Sequence, residues 1–465
     1  MTLSSCSAVE FVIQYTCIGV ARQAATRISG ETKGTDGMKT TDVRAALGAA
    51  RVRALLENDL AVSFDEASRR IGALADRFRR EYGERDDISV YSISGRTELC
   101  GNHTDHNAGL VMAAAVNAEL YAVVAPRRDG VIRVHSVGHR EDIVPPERSD
   151  APDPKKNFTA GALIAGMRRA FLDRGLPVCG FDAVTESTVP SGSGLSSSAA
   201  FEVAIGTILN HLAAGGKVPP PEIAKMAQEA ENRFFGKPCG LMDQMACAVG
   251  GIIAIDFADA EKPVITPLSF SPRDEGYELV LTTTGGSHSD LQADYAAVPA
   301  EMKSVAAALG CRVLREVDPA KFYEALPTLR GKVSDRAILR AMHFFAENDR
   351  VRSLTAALGQ PTGRMEAFLK TIRESGASSA ALLQNIYAPG HPAEQGMTLA
   401  LALSERLLSG VGGAWRVHGG GFAGAVQAFV PFDAVPAYVS EMERVFGKGA
   451  CRRLSIRPAG CTRVL

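Results

Sequence analysis

The chain has 465 residues, 46% hydrophobic and 22% charged, the balance of an ordinary globular protein long enough for two substantial cores. With 51 Lys plus Arg against 52 Asp plus Glu its formal net charge is −1, so the basic excess of a nucleic-acid binder is absent and a phosphate-bearing partner must be held by local geometry. Its nine cysteines include no C-x-x-C pair, which argues against a disulfide framework or structural zinc and suits a reducing cytosol. No apolar run approaches the roughly 18 residues needed to cross a bilayer.

In chain order, residues 1–37 stand apart in composition. They read either as a disordered tail or as an over-long start with Met38 as the true beginning. Residues 11–21 are the nearest approach to a signal peptide, but they lack a basic flank and contain Gln14 and Thr16, so secretion is set aside. Residues 40–82 have helical spacing. Strand-like runs follow at 88–94, 120–125, 131–137, 181–188, 251–257, 278–284 and 425–430, with helical patterns at 198–212, 222–235, 291–309 and 397–408. Strands and helices without a regular βαβ rhythm predict an α+β fold.

Three glycine-bearing segments and one carboxylate carry chemistry. The run VPSGSGLSSSAAFEVAIGTIL (189–209) ends a strand, frees the backbone at Gly192 and Gly194, and opens a helix through three serines. It reads as a capped turn or as an anion site made of helix-start N–H groups. It is neither a Walker A loop nor a dinucleotide fingerprint. The run SGRTELCGNHTDHNAG (94–109) gathers Arg96, His103, Asp105 and His106 after a predicted strand, as a solvated loop or a binding loop. The run RVHGGGFAGAVQAFV (416–430) is satisfied by a hairpin or by closely packed backbone. Asp243 lies in the apolar CGLMDQMACAVGG, where an unpaired ion is costly, so it has a buried partner or works in a cleft. Glu231 borders the apolar face of a preceding helix and is a surface charge or a cation ligand.

Together these segments resemble the GHMP kinase superfamily, and within it the galactokinases. The core GLSSSAA (194–200) resembles the superfamily's phosphate-binding motif, GGGFAG (419–424) its C-terminal glycine motif, and GNHTDHN after Gly95–Arg96, with GLMDQ (240–244), the galactokinase signatures. The resemblance implies a two-domain α+β fold, N-terminal over 38–255 and C-terminal over 256–465, with the active site in the cleft between them. It implies Asp243 and Arg96 as catalytic residues, and Gly192, Ser193, Gly194, Leu195, Ser196, Ser197 and Ser198 as the ATP-binding loop. It further implies Ser198 and Glu231 as ligands of Mg2+, and Asn102, His103, Thr104, Asp105, Gly240 and Tyr295 as sugar contacts. The implied partners are ATP and a small sugar, with no nucleic acid and no membrane. Asn102 replaces the family's usual Glu and His106 its usual Tyr. Besides galactose, the reading therefore leaves open galacturonate, arabinose, N-acetylgalactosamine, or a non-catalytic sugar sensor.

Overall fold

The computed structural model describes residues 38–189, 194–285 and 291–465. The expectations for residues 1–37, Gly192 and Ser193 lie outside them.

The mixed architecture is built on two sheets. The first contains β1 (Ser89–Cys100), β2 (Leu110–Arg127), β3 (Ile132–Ser136), β4 (Asp142–Val144), β5 (Gly180–Ser187), β6 (Ile252–Asp256), β7 (Val264–Leu268) and, from the far end of the chain, β12 (Thr462–Arg463). Its order is β12-β1-β2-β5-β3-β4, with β6 joining β2 to β7. β2 is long enough for two partners on one edge: β5 pairs with residues 120–127 and β6 with residues 110–114. The second sheet is β11-β8-β10-β9 and wholly antiparallel, from β8 (Tyr277–Gly285), β9 (Ala414–His418), β10 (Gly424–Pro431) and β11 (Cys451–Leu454).

Helices cover both faces of the first sheet. α1 (Phe64–Tyr82) places Ile71, Leu74 and Phe78 against Val90, Tyr121, Val123 and Val184. The opposite face takes α2 (Ala160–Asp173), α3 (Ser197–Ala213), α4 (Pro220–Ala230) and α5 (Met242–Val249), whose Met167, Ile205, Ile208, Met226 and Met245 are fully buried. In the C-terminal half α6 (Gln292–Ala308) packs on α7 (Asp335–Leu358). α8 (Arg364–Ser378) lies beside β9, while α9 (Gly396–Leu408) and α10 (Val435–Phe446) cover the second sheet.

Two departures from the sequence expectation bear on function. β1 does not end at residue 94; it runs on to Cys100, so Arg96 stands on a strand and the loop is only 101–109. Register shifts at Ser94/Gly95 and Glu98/Cys100 re-aim the side chains between them. The 24-residue α7 was not expected, because Arg340, His343, Glu347 and Asn348 are buried along it and blur the apolar period. The 419–424 segment is a hairpin turn between β9 and β10, and also closely packed backbone.

After β11 the chain returns to the first sheet. Ile456 bridges Val116, and Arg457, fully buried, donates to Ser92 Oγ (2.9 Å), Ser92 O (3.1 Å) and Gly460 O (2.6 Å). Arg457→Leu would orphan those acceptors, and is expected to lower unfolding stability by roughly 2–5 kcal/mol. A urea midpoint matching the wild type would show that the guanidinium does not hold the terminal strand.

Candidate active site

The site begins with an ion pair. Arg96, 5% exposed, donates from Nε to Asp243 Oδ1 and from Nη2 to Asp243 Oδ2, both at 2.7 Å, and from Nη1 to the carbonyl of Gly194. A bidentate fork fixes the plane of both groups. Ser196 Oγ, at a left-handed residue (φ 61°) just before α3, also donates to Asp243 Oδ2. Burial pushes the Asp243 carboxyl up, but Arg96, Ser196 and Lys237 outweigh it and hold it below the usual carboxylate range. One side chain from β1 and one from α5 thus meet at the N-terminal end of α3, whose dipole favours an anion.

Beside this pair stands a polar cluster. Ser198 Oγ donates to Glu231 Oε1 (3.0 Å), Lys237 Nζ donates to the same oxygen (3.2 Å), and Gln244 Nε2 donates to Glu231 Oε2 (2.8 Å) and Glu202 Oε2 (3.3 Å). Glu231, at the start of a π-helical turn after α4, is 2% exposed and so is not a surface charge. Burial, with the Glu231 carboxylate nearby, pushes Glu202 well above the usual range and favours its protonated form. Glu202 Oε1 and Gln244 Oε1 are buried without a hydrogen-bond partner among the described residues. No group of three or more His, Cys, Asp or Glu among the described residues could cage a metal ion. Ser198 and Glu231 nevertheless supply two hard oxygen donors in contact, the kind Mg2+ takes when phosphates and water complete its shell.

The 101–109 turn closes the other side. The neutral His103 imidazole, its pKa held down at about 4 by burial, donates from Nε2 to Gly420 O (2.8 Å). Tyr295 OH donates to Gly421 O (2.8 Å). Thr104 is fully buried and bonds the turn's own carbonyls, Gly101 O (2.9 Å) and Leu110 O (2.6 Å). Asp105 lies against Gly240: a Cβ there would fall 1.7 Å from Asp105 Oδ2. At Gly194 (φ 75°) a Cβ would come within 2.7 Å of the His418 ring Nδ1, and a Cβ at Gly419 would lie 3.5 Å from the Gly194 backbone, so the serine loop and the glycine hairpin pack closely. His103, Asp105, Gly240, Tyr295, Arg96, Asp243, Ser196, Ser198 and Glu231 are therefore gathered in one region. Leu195 is buried, with its carbonyl accepting from Arg96 N (3.3 Å), and Ser197 is the first residue of α3.

Asn102 is held differently. Its side chain, 1% exposed, donates to Glu98 Oε2 (2.9 Å) and Gly419 O (3.0 Å) and accepts from Asn385 Nδ2 (2.8 Å). It belongs to a buried knot in which Glu98 Oε1 meets Arg416 Nη2 (2.8 Å) and Glu347 Oε2 accepts from Gly101 N (2.6 Å) and Ser375 Oγ (2.7 Å). His343 Nε2 donates to Asn102 O (2.9 Å). Sequence reasoning missed Glu98, Arg416, Glu347, Glu202, Gln244 and Lys237. Glu202 carried a signal, because it interrupts the apolar run AAFEVAIGTIL much as Asp243 interrupts its own.

Residues 160–251 match the GHMP kinases N terminal domain, and residues 76–126 the galactokinase galactose-binding signature. The chain is 34% identical over 379 residues to the galactokinase of Streptomyces coelicolor, covering 81% of this chain and 92% of that one. It is 32% identical over 389 residues to the galactokinase of Homo sapiens, with the same two coverages of 81% and 92%. Its fold is similar to that of Lactococcus lactis galactokinase complexed with galactose (TM-score 0.72, 23% identity, 84% of this chain and 99% of that chain). It is also similar to that of Methanococcus jannaschii mevalonate kinase (TM-score 0.57, 13% identity, 80% and 99%). The chain belongs to the galactokinase family of the GHMP kinases.

The knot around Asn102 makes a specific demand. A glutamate at 102 would aim a carboxylate at Glu98 and at the Gly419 carbonyl, both of which now accept from the amide. Asn102→Glu is expected to cost roughly 3–5 kcal/mol of stability, the scale of an uncompensated buried charge. Adding Glu98→Gln restores one amide and one carboxylate, and a double-mutant cycle in urea should recover at least about 1 kcal/mol. Strict additivity would count against a direct 98–102 interaction.

Proposed function

We propose that this chain transfers the γ-phosphoryl group of ATP to the anomeric hydroxyl of galactose, giving galactose 1-phosphate. The observation that carries this reading is the bidentate Arg96–Asp243 pair at the start of α3, between the serine loop and the 101–109 turn. In the galactokinase family such a pair has a defined task. Asp243 orients the attacking hydroxyl and takes its proton, and Arg96 stabilises charge on the group in transfer. A carboxylate held below its usual range is a weak base, which suits a loose transition state in which the nucleophile's proton leaves late. The N–H groups opening α3, with the loop 192–198, would cradle the nucleotide phosphates. Ser198 and Glu231 would hold Mg2+, which would supply positive charge to offset that of the phosphates. His103, Asp105, Gly240 and Tyr295 would meet the sugar.

The fate of Asn102 bears on which sugar. With its amide committed to Glu98 and Gly419, it offers no donor to a sugar carboxylate, and the galacturonate reading loses its support. The seven described cysteines are all free thiols, in keeping with a cytosolic enzyme.

A coupled ADP-release assay across galactose, galacturonate, arabinose and N-acetylgalactosamine tests the proposal, with galactose expected to have the highest kcat/KM. Asp243→Asn should lose about 10²–10⁴-fold in kcat. Turnover confined to another sugar, or an Asn variant above half the wild-type rate, would overturn it.

The contact at Gly240 gives a second test. Gly240→Ala must push the Asp105 carboxylate aside, and losing a charged hydrogen bond of about 1.5–3 kcal/mol should weaken galactose binding by about tenfold or more. Calorimetric titration with galactose reads this directly. Unchanged affinity would remove Asp105 from the sugar site.

A further inference from the structure

Lys237 belongs to none of the motifs that mark the site, yet the backbone delivers it there. After α4 the chain makes the π-helical turn Glu231–Phe235 and closes at Gly236, φ 82°. The Gly236 and Lys237 N–H groups both donate to the carbonyl of Glu231, at 3.0 and 3.2 Å. The extra residue in such a turn brings position 237 back toward the residue that opened it, and Lys237 Nζ reaches 3.2 Å from Glu231 Oε1. That oxygen also accepts from Ser198 Oγ at 3.0 Å. The Lys237 side chain is 56% exposed and the Glu231 side chain 2%. The ammonium therefore stands at the open side of a buried carboxylate.

We propose that Lys237 is a resident counter-ion at the metal position, and that its ammonium and a divalent cation compete for Glu231 Oε1. The proposal rests on the reading of Ser198 and Glu231 as metal ligands. A nearly buried carboxylate is costly without a partner, and Lys237 is the cation in contact with it. Two cations on one carboxylate oxygen repel at short range, so metal entry requires the ammonium to move off. The flexible four-carbon stem of lysine allows that movement.

The test is the thermal stability of the full chain against MgCl2 without nucleotide, at constant ionic strength. Lys237→Met, with Lys237→Gln as the polar alternative, should lower Tm without Mg2+ and enlarge the Mg2+-induced rise. The half-saturating Mg2+ concentration should fall by about fivefold relative to wild type, the scale of one partly exposed ion pair. Identical Mg2+ midpoints in the wild type and both variants would overturn the competition. A Mg2+ response that survives Glu231→Gln in the Lys237→Met background would overturn the ligand assignment beneath it. Galactose turnover by the wild type, measured on the same preparation, reports separately on the proposed activity.

Discussion

The Arg96–Asp243 fork is the constraint from which the site is organised, because it joins a strand and a helix at the point where the serine loop meets them. Arg96 stands on β1 between two register shifts, and Asp243 in the first turn of α5. Their two parallel hydrogen bonds fix the angle between strand and helix at this point. The third guanidinium nitrogen reaches Gly194 O and ties the serine loop to the same pair. A lysine at 96 would keep the charge and lose this geometry, since it has no planar fork with which to hold a carboxylate and a carbonyl together.

A second buried network sets the other wall. Glu98, Arg416 and Glu347 are each no more than 2% exposed, in a region shared by β1, β9 and α7. Buried ion pairs contribute little net stability compared with apolar packing, but breaking one is expensive. Their value lies in definition. Glu347 accepts from the backbone N–H of Gly101, and His343 donates to the carbonyl of Asn102, so helix α7 of the C-terminal half holds the turn that carries His103 and Asp105. Arg96 and Glu98 lie two residues apart on β1, so a single strand carries both the Asp243 pair and the Arg416 knot.

How much of this could be read beforehand divides along physical lines. Local signals worked where chemistry is local. Asp243 in an apolar run called for a buried partner or a working cleft, and Arg96 is such a partner, while the glycine–serine run, readable as a capped turn or an anion site, does open α3. The α+β class followed from strands without βαβ rhythm. What stayed hidden depends on residues far apart in sequence. Nothing in TELCGN indicates that Glu98 pairs with Arg416, 318 positions away, or that Asn102 turns inward to it. Thr104 and Asn102 bond into the fold while their neighbours His103 and Asp105 reach toward Gly420 and Gly240, and sequence alone does not separate the two orientations. α7 was missed because its buried face is partly polar, and Lys237 because a lysine in a glycine-containing turn looks like any solvated loop.

The charge arrangement also answers how a chain of net charge −1 can receive a polyanion. Before any ligand arrives, the cluster is close to neutral. Arg96 faces Asp243 and Lys237 faces Glu231, while burial favours a proton on Glu202. Among the described residues of this cluster the paired charges leave no excess positive charge, so in the proposed reaction global attraction would not be what draws the nucleotide. What remains unneutralised is the positive end of α3 and its open N–H groups, a fixed dipole that is fully oriented before binding. A nucleotide arriving with its own divalent cation brings charge of both signs. Under the proposed competition, that cation would displace the Lys237 ammonium from Glu231. On the proposed reading of Glu231 as a metal ligand, the site would exchange one cation for another at that carboxylate.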